Sequence, residues 1–169
     1  MKGVYLGAFR ASHPGHNVIY QDINGERDIA GDMLDVDLSA YDYVVATPPC
    51  NYWSRANYRR NQSEYSLKTR VLLPLILLKL IASGKPFIVE NVKNKSLMGK
   101  WGLFNLPCYV HFVGRHTYWT NQKINFDDIA QDSENVQNKW KNARQGGKNV
   151  NRVIERFIYV VESLEDANR

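Results

Sequence analysis

The feature that most constrains this chain is a short apolar run ending in two prolines and a cysteine, residues 43–50 (YVVATPPC). Its first four residues are uncharged and include two adjacent valines, which is typical of a buried β-strand. Pro48 and Pro49 have no N–H to donate to a neighbouring strand, so the strand must end before them. Cys50 is therefore predicted to lie on a proline-stiffened loop beyond a strand end. In open α/β sheets, ligands bind outside the carboxyl ends of the strands.

Length and hydropathy limit the architecture. The 169 residues are 44% hydrophobic, which predicts one domain over residues 1–169 with a single core. The longest apolar stretch, residues 71–81, contains Pro74 and Lys79 and is too short to span a bilayer. The N-terminal residues lack a cleavable signal pattern. We therefore expect a cytoplasmic location, no membrane partner and two reduced cysteines.

Charge and side-chain types limit the classes of ligand that the chain is expected to bind. The chain carries a net charge of +5 together with ten tyrosines and four tryptophans. Basic residues mixed with aromatic rings favour a polyanion whose bases can be stacked upon. The four histidines form two loose pairs with no cysteine or carboxylate at ligand spacing, so we predict no metal site.

The first part of the chain predicts short strands with polar connections. Residues 3–8 and 17–22 have the pattern of strands, and the connection between them, residues 9–16, is too short for a crossover helix. A short strand is expected at residues 33–36. Residues 51–65 are polar, aromatic and basic without an apolar period, which indicates an exposed loop.

A βαβ unit follows. Residues 66–82 predict a buried helix in which Pro74 either introduces a kink or lies in the first turn. Residues 87–89 predict a central strand with Glu90 at its carboxyl end. Because the carboxyl ends of parallel strands meet at one edge of a sheet, Cys50 and Glu90 are expected side by side.

The second half of the chain has fewer regular patterns. Residues 109–113 and 117–120 predict strands of a hairpin. Residues 122–149 form a polar insertion with little expected core, and residues 150–164 have nearly helical apolar spacing. Within that closing helix, residues 158–161 (IYVV) are also compatible with a strand. The predicted fold class is α/β.

Two short motifs carry a family resemblance. The sequence PPC at residues 48–50, followed forty residues later by ENV at residues 90–92, resembles the carbon-5 cytosine DNA methyltransferases. The resemblance implies a reduced, single-domain Rossmann-like methyltransferase sheet. It also implies methyl transfer from S-adenosylmethionine to carbon 5 of a flipped cytosine in DNA.

The resemblance assigns roles to these residues. Cys50 would add to carbon 6 of the base, and Glu90 would hydrogen-bond the ring nitrogen and the exocyclic amine as negative charge develops. Arg115, in the later hairpin, is the candidate for contact with the base carbonyl. For Cys50 the alternative is an inert buried thiol.

Further positions are implied for the cofactor and for DNA. Asp22, at the end of the second strand, matches the acidic residue that meets the ribose, and Asp32 of a Gly-Asp pair matches the adenine contact. Gly7 and Pro48 complete the expected cofactor site. The expected DNA contacts lie just after the nucleophile, at Arg55, Arg59, Arg60 and the stacking ring of Trp53.

The chain also departs from the family pattern. Residues 5–10 hold one glycine where the family has a glycine-rich cofactor loop opening a helix, and a separate target-recognition domain is missing. Either sequence specificity is low, or residues 122–149 contact DNA in a reduced way. Residues 143–157 occupy the place of the last family motif, which returns to the cofactor.

Two alternative functions follow from these departures. One is a degenerate relative that binds DNA or a protein without catalysis. The other is a thiol enzyme that acts on free pyrimidine nucleotides.

Overall fold

A computed structural model of the protein describes residues 1–129 and 139–168. Seven strands form one mixed sheet in the order β3-β2-β1-β4-β5-β7-β6. The strands are β1 (Gly3–Leu6), β2 (Val18–Asp22), β3 (Ile29–Ala30), β4 (Tyr43–Ala46), β5 (Phe87–Val92), β6 (Tyr109–Val113) and β7 (His116–Thr120). The first five are parallel, β7 is antiparallel to β5, and β6 is antiparallel to β7.

Helices cover both faces of this sheet. They are α1 (Glu64–Thr69), α2 (Leu72–Ser83), α3 (Lys95–Lys100) and α4 (Lys139–Ala167), together with a 3₁₀ helix at Met33–Asp35. The predicted α/β class is therefore confirmed. Helix α3 was not predicted, and the short strand expected at residues 33–36 is wrong, because the chain forms the 3₁₀ turn there after pairing β3 with β2.

Strands β1 and β4 lie at the centre and are buried along their whole length. Successive side chains alternate between the two faces, so Val44 packs toward α2 while Tyr43 and Val45 pack toward α4. A strand covered on both faces has no solvent side and needs no polar alternation. This explains the unbroken apolar run before Pro48.

The single helix predicted over residues 66–82 is two helices. The chain breaks after α1 at Arg70 and Val71 and resumes in α2. Pro74 is the third residue of α2, where an amide N–H has no partner inside a helix and its loss is tolerated. The prediction that Pro74 lies in the first turn is thus confirmed. At the other end, Gly84 terminates α2 in a left-handed conformation (φ 70°).

Helix α4 is longer than the predicted closing helix of residues 150–164. It covers the sheet face opposite α2 with a buried apolar stripe, which consists of Val153, Ile154, Phe157, Ile158 and Val161. The alternative of a strand at residues 158–161 is wrong.

The polar insertion predicted at residues 122–149 contributes more to the core than expected. Ile124, Phe126 and Ile129 are buried against the face that α4 covers. Their spacing of two and three residues fits neither a strand nor a helix, so no period revealed them. Residues 130–138 of the insertion lie outside the described residues.

The connection between β1 and β2 contains no helix, as predicted. It is fastened to α4 by hydrogen bonds from His13 and His16 to glutamates on that helix. Among the residues that the structure describes, no helix combines the length and apolar character needed to cross a bilayer.

Candidate functional site

A cleft of about 1970 Å³ opens at the carboxyl edge of the parallel strands. Strand order reverses there, because β2 and β4 lie on opposite sides of β1, and such switch points are the usual ligand sites of open α/β sheets. The volume exceeds the roughly 300–1,000 Å³ typical of a single small-ligand pocket. Eight residues predicted from the sequence line the cleft: Gly7, Asp22, Asp32, Pro48, Cys50, Arg55, Glu90 and Arg115.

Cys50 lies four residues beyond the end of β4 with part of its surface exposed. Its carbonyl accepts hydrogen bonds from the N–H groups of Trp53 (3.0 Å) and Ser54 (2.8 Å), which fold the next residues into a tight turn. Burial by the cleft walls and the negative charge of Glu90 raise the pKa of the Cys50 thiol. The thiol is therefore protonated at neutral pH until a nearby positive charge or proton offsets Glu90.

The sequence predicts that the strand ends at residue 89, but β5 continues to Val92, so Glu90 lies within it. Parallel pairing with β4 stops at Val89, but β5 continues because β7 pairs with it in the antiparallel sense, with Tyr118 opposite Glu90. The Glu90 side chain is mostly buried, and its Oε1 lies 2.7 Å from Nδ1 of His116. Burial and the charge of Glu90 raise the pKa of the Tyr118 hydroxyl, so that group stays protonated beside the carboxylate.

Buried amides fasten the proline loop to β5. Asn91 donates from Nδ2 to the Pro48 carbonyl (3.2 Å), and Asn94 donates to the Trp53 carbonyl (2.8 Å). Both asparagines are at least nine-tenths buried, where an unpaired amide is costly. The sequence reasoning used only the glutamate of ENV, although the adjacent asparagine was a visible signal for a second role.

Gly7 directly follows β1 and lies close to Thr47, which directly follows β4. Its φ of 70° is left-handed, and a Cβ at this position would lie 2.7 Å from the Thr47 carbonyl oxygen. The Thr47 hydroxyl donates to the Gly7 carbonyl at 2.7 Å. The glycine is thus required by strand packing, whether or not a ligand is present.

The N–H groups of residues 7–9, which directly follow β1, are used within the protein. Gly7 donates to Oε1 of Gln21 (2.9 Å), Ala8 donates to the Gln21 carbonyl (2.8 Å), and Phe9 donates to Oδ2 of Asp22 (2.9 Å). This loop therefore does not offer the cradle of free amides that a glycine-rich cofactor loop provides.

The resemblance implies S-adenosylmethionine as the cofactor, and the two carboxylates expected to contact it, Asp22 and Asp32, both line the cleft. Asp22 already accepts the N–H groups of Phe9 (2.9 Å) and Asn24 (3.1 Å). Asp32 also caps the 3₁₀ helix by accepting from the Leu34 N–H (2.9 Å). Asn149 and Asn151 of α4 line the same cleft, in the segment predicted to return to the cofactor.

The predicted DNA contacts separate into two groups. Arg55 lines the cleft, and the Arg59 guanidinium lies 5.6 Å from the Tyr58 ring centre. Arg60 instead holds the loop together, because it donates to the carbonyls of Tyr52 and Ser54, both at 2.9 Å.

The stacking role predicted for Trp53 is wrong. Its ring is fully buried in the core on the α2 side and packs edge-on against Tyr52 and Trp101. The tight turn after Cys50 carries the ring inward, so a base cannot reach it. The loop predicted as exposed is therefore anchored to the core by this ring. Phe9, Tyr58 and Tyr65 are exposed instead.

Several cleft residues were missed by the sequence reasoning. Arg10, Lys68 and Lys93 add positive charge to the lining, and His116 completes a pair with Glu90. For the first three, the signal in the sequence was the net charge of +5. No group of three or more histidine, cysteine, aspartate or glutamate side chains within residues 1–129 and 139–168 is arranged to hold a metal ion.

No protein-family model matches the chain, and no curated protein matches it. The cleft itself is therefore the basis for assigning a function, because fold alone does not determine activity.

Proposed function

We propose that this protein is a DNA methyltransferase that methylates carbon 5 of cytosine through a covalent Cys50 adduct. The observation that supports this most is the meeting of Cys50 and Glu90 in one cleft at the strand-order reversal. The order β3-β2-β1-β4-β5 follows the doubly wound pattern, which supports a Rossmann-like sheet reduced by the missing helix after β1. The proposal includes a cytoplasmic location.

The chemistry assigned to the chain's own residues is a nucleophilic addition with proton support. Sγ of Cys50 forms a bond to carbon 6 as its proton passes through Glu90 to the ring nitrogen, and the electron pair of the carbon 5–carbon 6 double bond shifts toward that nitrogen. Glu90 hydrogen-bonds the ring nitrogen and exocyclic amine, which stabilises the charge that develops there. After methylation, water takes the carbon-5 proton, the electron pair of that C–H bond restores the carbon 5–carbon 6 double bond, and Sγ leaves carbon 6. S-adenosylmethionine, when bound, would supply the methyl group.

The charge around the cleft supports a nucleic-acid substrate. Arg10, Arg55, Lys68, Lys93 and Arg115 line it, and the chain has a net charge of +5. Such cations suit phosphate contacts, which position a strand without reading its sequence. The exposed rings of Phe9 and Tyr65, also in the cleft lining, suit stacking on an extruded or neighbouring base.

The direct test combines transfer and trapping. Labelled methyl from S-adenosylmethionine should reach cytosine-containing duplex DNA, and 5-fluorocytosine DNA should form a stable adduct that Cys50→Ala abolishes and Cys108→Ala preserves. Competition by deoxycytidine monophosphate separates DNA from free nucleotide as the substrate. Absence of both label transfer and adduct would overturn the proposal.

One alternative is favoured by a specific observation. The internal bonding of the N–H groups of residues 7–9 is what a relative that no longer binds the cofactor would show. Such a protein retards DNA equally well after Cys50→Ala, and calorimetry detects no heat when S-adenosylmethionine is added.

A further inference from the structure

His116 and Glu90 meet because of the register between β5 and β7. Glu90 pairs with Tyr118 and Val92 pairs with His116, so Glu90 and His116 are diagonal neighbours that point to the same face of the sheet. Nδ1 of His116 lies 2.7 Å from Oε1 of Glu90. A bond of this length to a carboxylate is charge-assisted and stronger than a neutral hydrogen bond.

The pair is placed for chemistry as well as for packing. Both residues line the cleft that holds Cys50, and their side chains are only 22% and 14% exposed. Bulk water therefore competes weakly for the bond. In the part of the chain that the structure describes, no protein group hydrogen-bonds Oε2 of Glu90, so this oxygen is left for a ligand.

His116 does not act on the thiol directly. No hydrogen bond joins its imidazole to Sγ of Cys50, although both residues are described and line one cleft. Burial and Glu90 account for the raised pKa of the thiol, without a contribution from the imidazole. The three residues therefore do not form a cysteine–histidine–glutamate triad, in which the histidine would contact the nucleophile.

We propose that His116 is the positioning residue for Glu90, holding Oε1 through Nδ1–H so that Oε2 faces the pyrimidine. This inference rests on the proposed function. As Sγ of Cys50 bonds to carbon 6, its S–H bond breaks and the proton passes through Oε2 of Glu90 to the ring nitrogen, while the imidazole N–H keeps hold of Oε1. The ring nitrogen returns this proton through Oε2 to Sγ when the sulfur–carbon bond breaks.

The kinetic test compares His116→Asn with His116→Leu. The Asn side-chain amide keeps a donor near the position of Nδ1, whereas Leu fills a similar volume without one. His116→Leu should lower kcat about 30- to 100-fold with KM for DNA changed less than about threefold, and Asn should restore kcat to within about tenfold of the wild type. If His116 were only structural, the two variants would lose kcat to the same extent, and the loss would follow their decrease in melting temperature. Either that result or an unchanged kcat in His116→Leu would overturn the inference.

A second measurement is independent of activity. Ring-nitrogen NMR of protein labelled at its four histidines, near pH 8.5, should show Nδ1-protonated His116, assigned by its loss in His116→Asn. Glu90→Ala should shift this ring to the Nε2-protonated form. If the wild-type ring is already Nε2-protonated, the inference fails even in an active enzyme. If the Nδ1 form is found without methyl transfer, the pair stands and the proposed function fails.

Discussion

Two histidine–carboxylate sites in this molecule use the same chemical groups in different ways. In the cleft, one imidazole meets one carboxylate, His116 with Glu90, next to a thiol. The second site, called the histidine clamp below, fastens the connection after β1 to α4 and consists of His13, His16, Glu155 and Glu162.

The clamp commits both ring nitrogens of His16 and both oxygens of Glu155. His16 approaches Glu162 with Nδ1 (2.8 Å) and Glu155 with Nε2 (2.6 Å), while His13 approaches the other Glu155 oxygen at 2.7 Å. Only an imidazolium donates from both ring nitrogens. Burial opposes that charge, yet the hydrogen bonds to Glu162 and Glu155 raise the pKa of His16.

The two sites differ in whether a carboxylate oxygen is left without a hydrogen-bond partner in the protein. Both oxygens of Glu155 are occupied, so the clamp can hold two elements together but has no free oxygen there for a substrate. Glu90 keeps one oxygen without a protein donor, and its charge acts on Cys50. A cluster of titratable residues thus indicates chemistry only where part of its hydrogen-bonding capacity remains open to a ligand.

The largest expected effect tests the chemical side of this contrast. Cys50→Ala should lower methyl transfer by at least about a thousandfold, because the covalent route is lost. Its free energy of unfolding should change by less than about 0.5 kcal/mol, since the side chain is partly exposed. Label transfer and urea unfolding measure the two quantities, and Cys108→Ala is the matched control. Wild-type activity in Cys50→Ala contradicts the chemical role.

The next largest effect tests the clamp. His16→Leu leaves Glu155 and Glu162 without their shared cation, and it should lower the free energy of unfolding by about 1–3 kcal/mol. Methyl transfer measured well below the melting temperature should stay within about twofold of the wild type. Urea unfolding at pH 6 gives the stability, and Glu162→Gln, which keeps an acceptor, should lose less. A stable but inactive His16→Leu would show that the two sites are not separate.

The clamp should also make stability depend on pH. The raised pKa of His16 stabilises the fold fully below the ordinary histidine value of 6.5, and this contribution is lost as pH rises through the folded pKa. For Glu155, burial raises the pKa, but the hydrogen bonds to His13 and His16 outweigh it, so stability is lost as pH falls below about 4.5. The wild-type protein should therefore be more stable at pH 6 than at pH 9, and His16→Leu should reduce that difference to below about 1 kcal/mol. If the pH dependence of the free energy of unfolding is unchanged in His16→Leu, a group other than His16 is responsible for it.

The smallest effect concerns the thiol. Because the charge of Glu90 raises the pKa of Cys50, Glu90→Gln should lower that pKa and speed iodoacetamide alkylation of Cys50 at pH 7.5 by roughly two- to tenfold. Asp22→Asn removes the charge of another carboxylate that lines the cleft and serves as the control, with little change expected because Asp22 is not among the groups that shift the pKa of Cys50. Equal rates in wild type and Glu90→Gln would mean that the two side chains do not interact electrostatically.

The sequence was informative wherever the signal was local. Periodicity and turn residues within short windows predict the strand before Pro48, the helical segment after it, and the next parallel strand. That strand brings Glu90 to the same edge of the sheet as Cys50. The hairpin is also confirmed, with Gly114 at φ 59° in its two-residue turn. These features follow from backbone stereochemistry and from the need to bury apolar runs.

The tertiary structure decided the contacts between distant segments. His13 pairs with Glu155 across 142 positions, and His116 reaches Glu90 across 26, without any local pattern that couples them. Trp53 is in the core because the turn after Cys50 points it inward and Asn94 holds that turn. Which polar atoms are satisfied, and which stay open to a ligand, depends on packing between these elements. The sequence alone thus determines which residue types are available for chemistry. Which of their polar atoms have no protein partner is determined only when the sheet, its hairpin and α4 pack together.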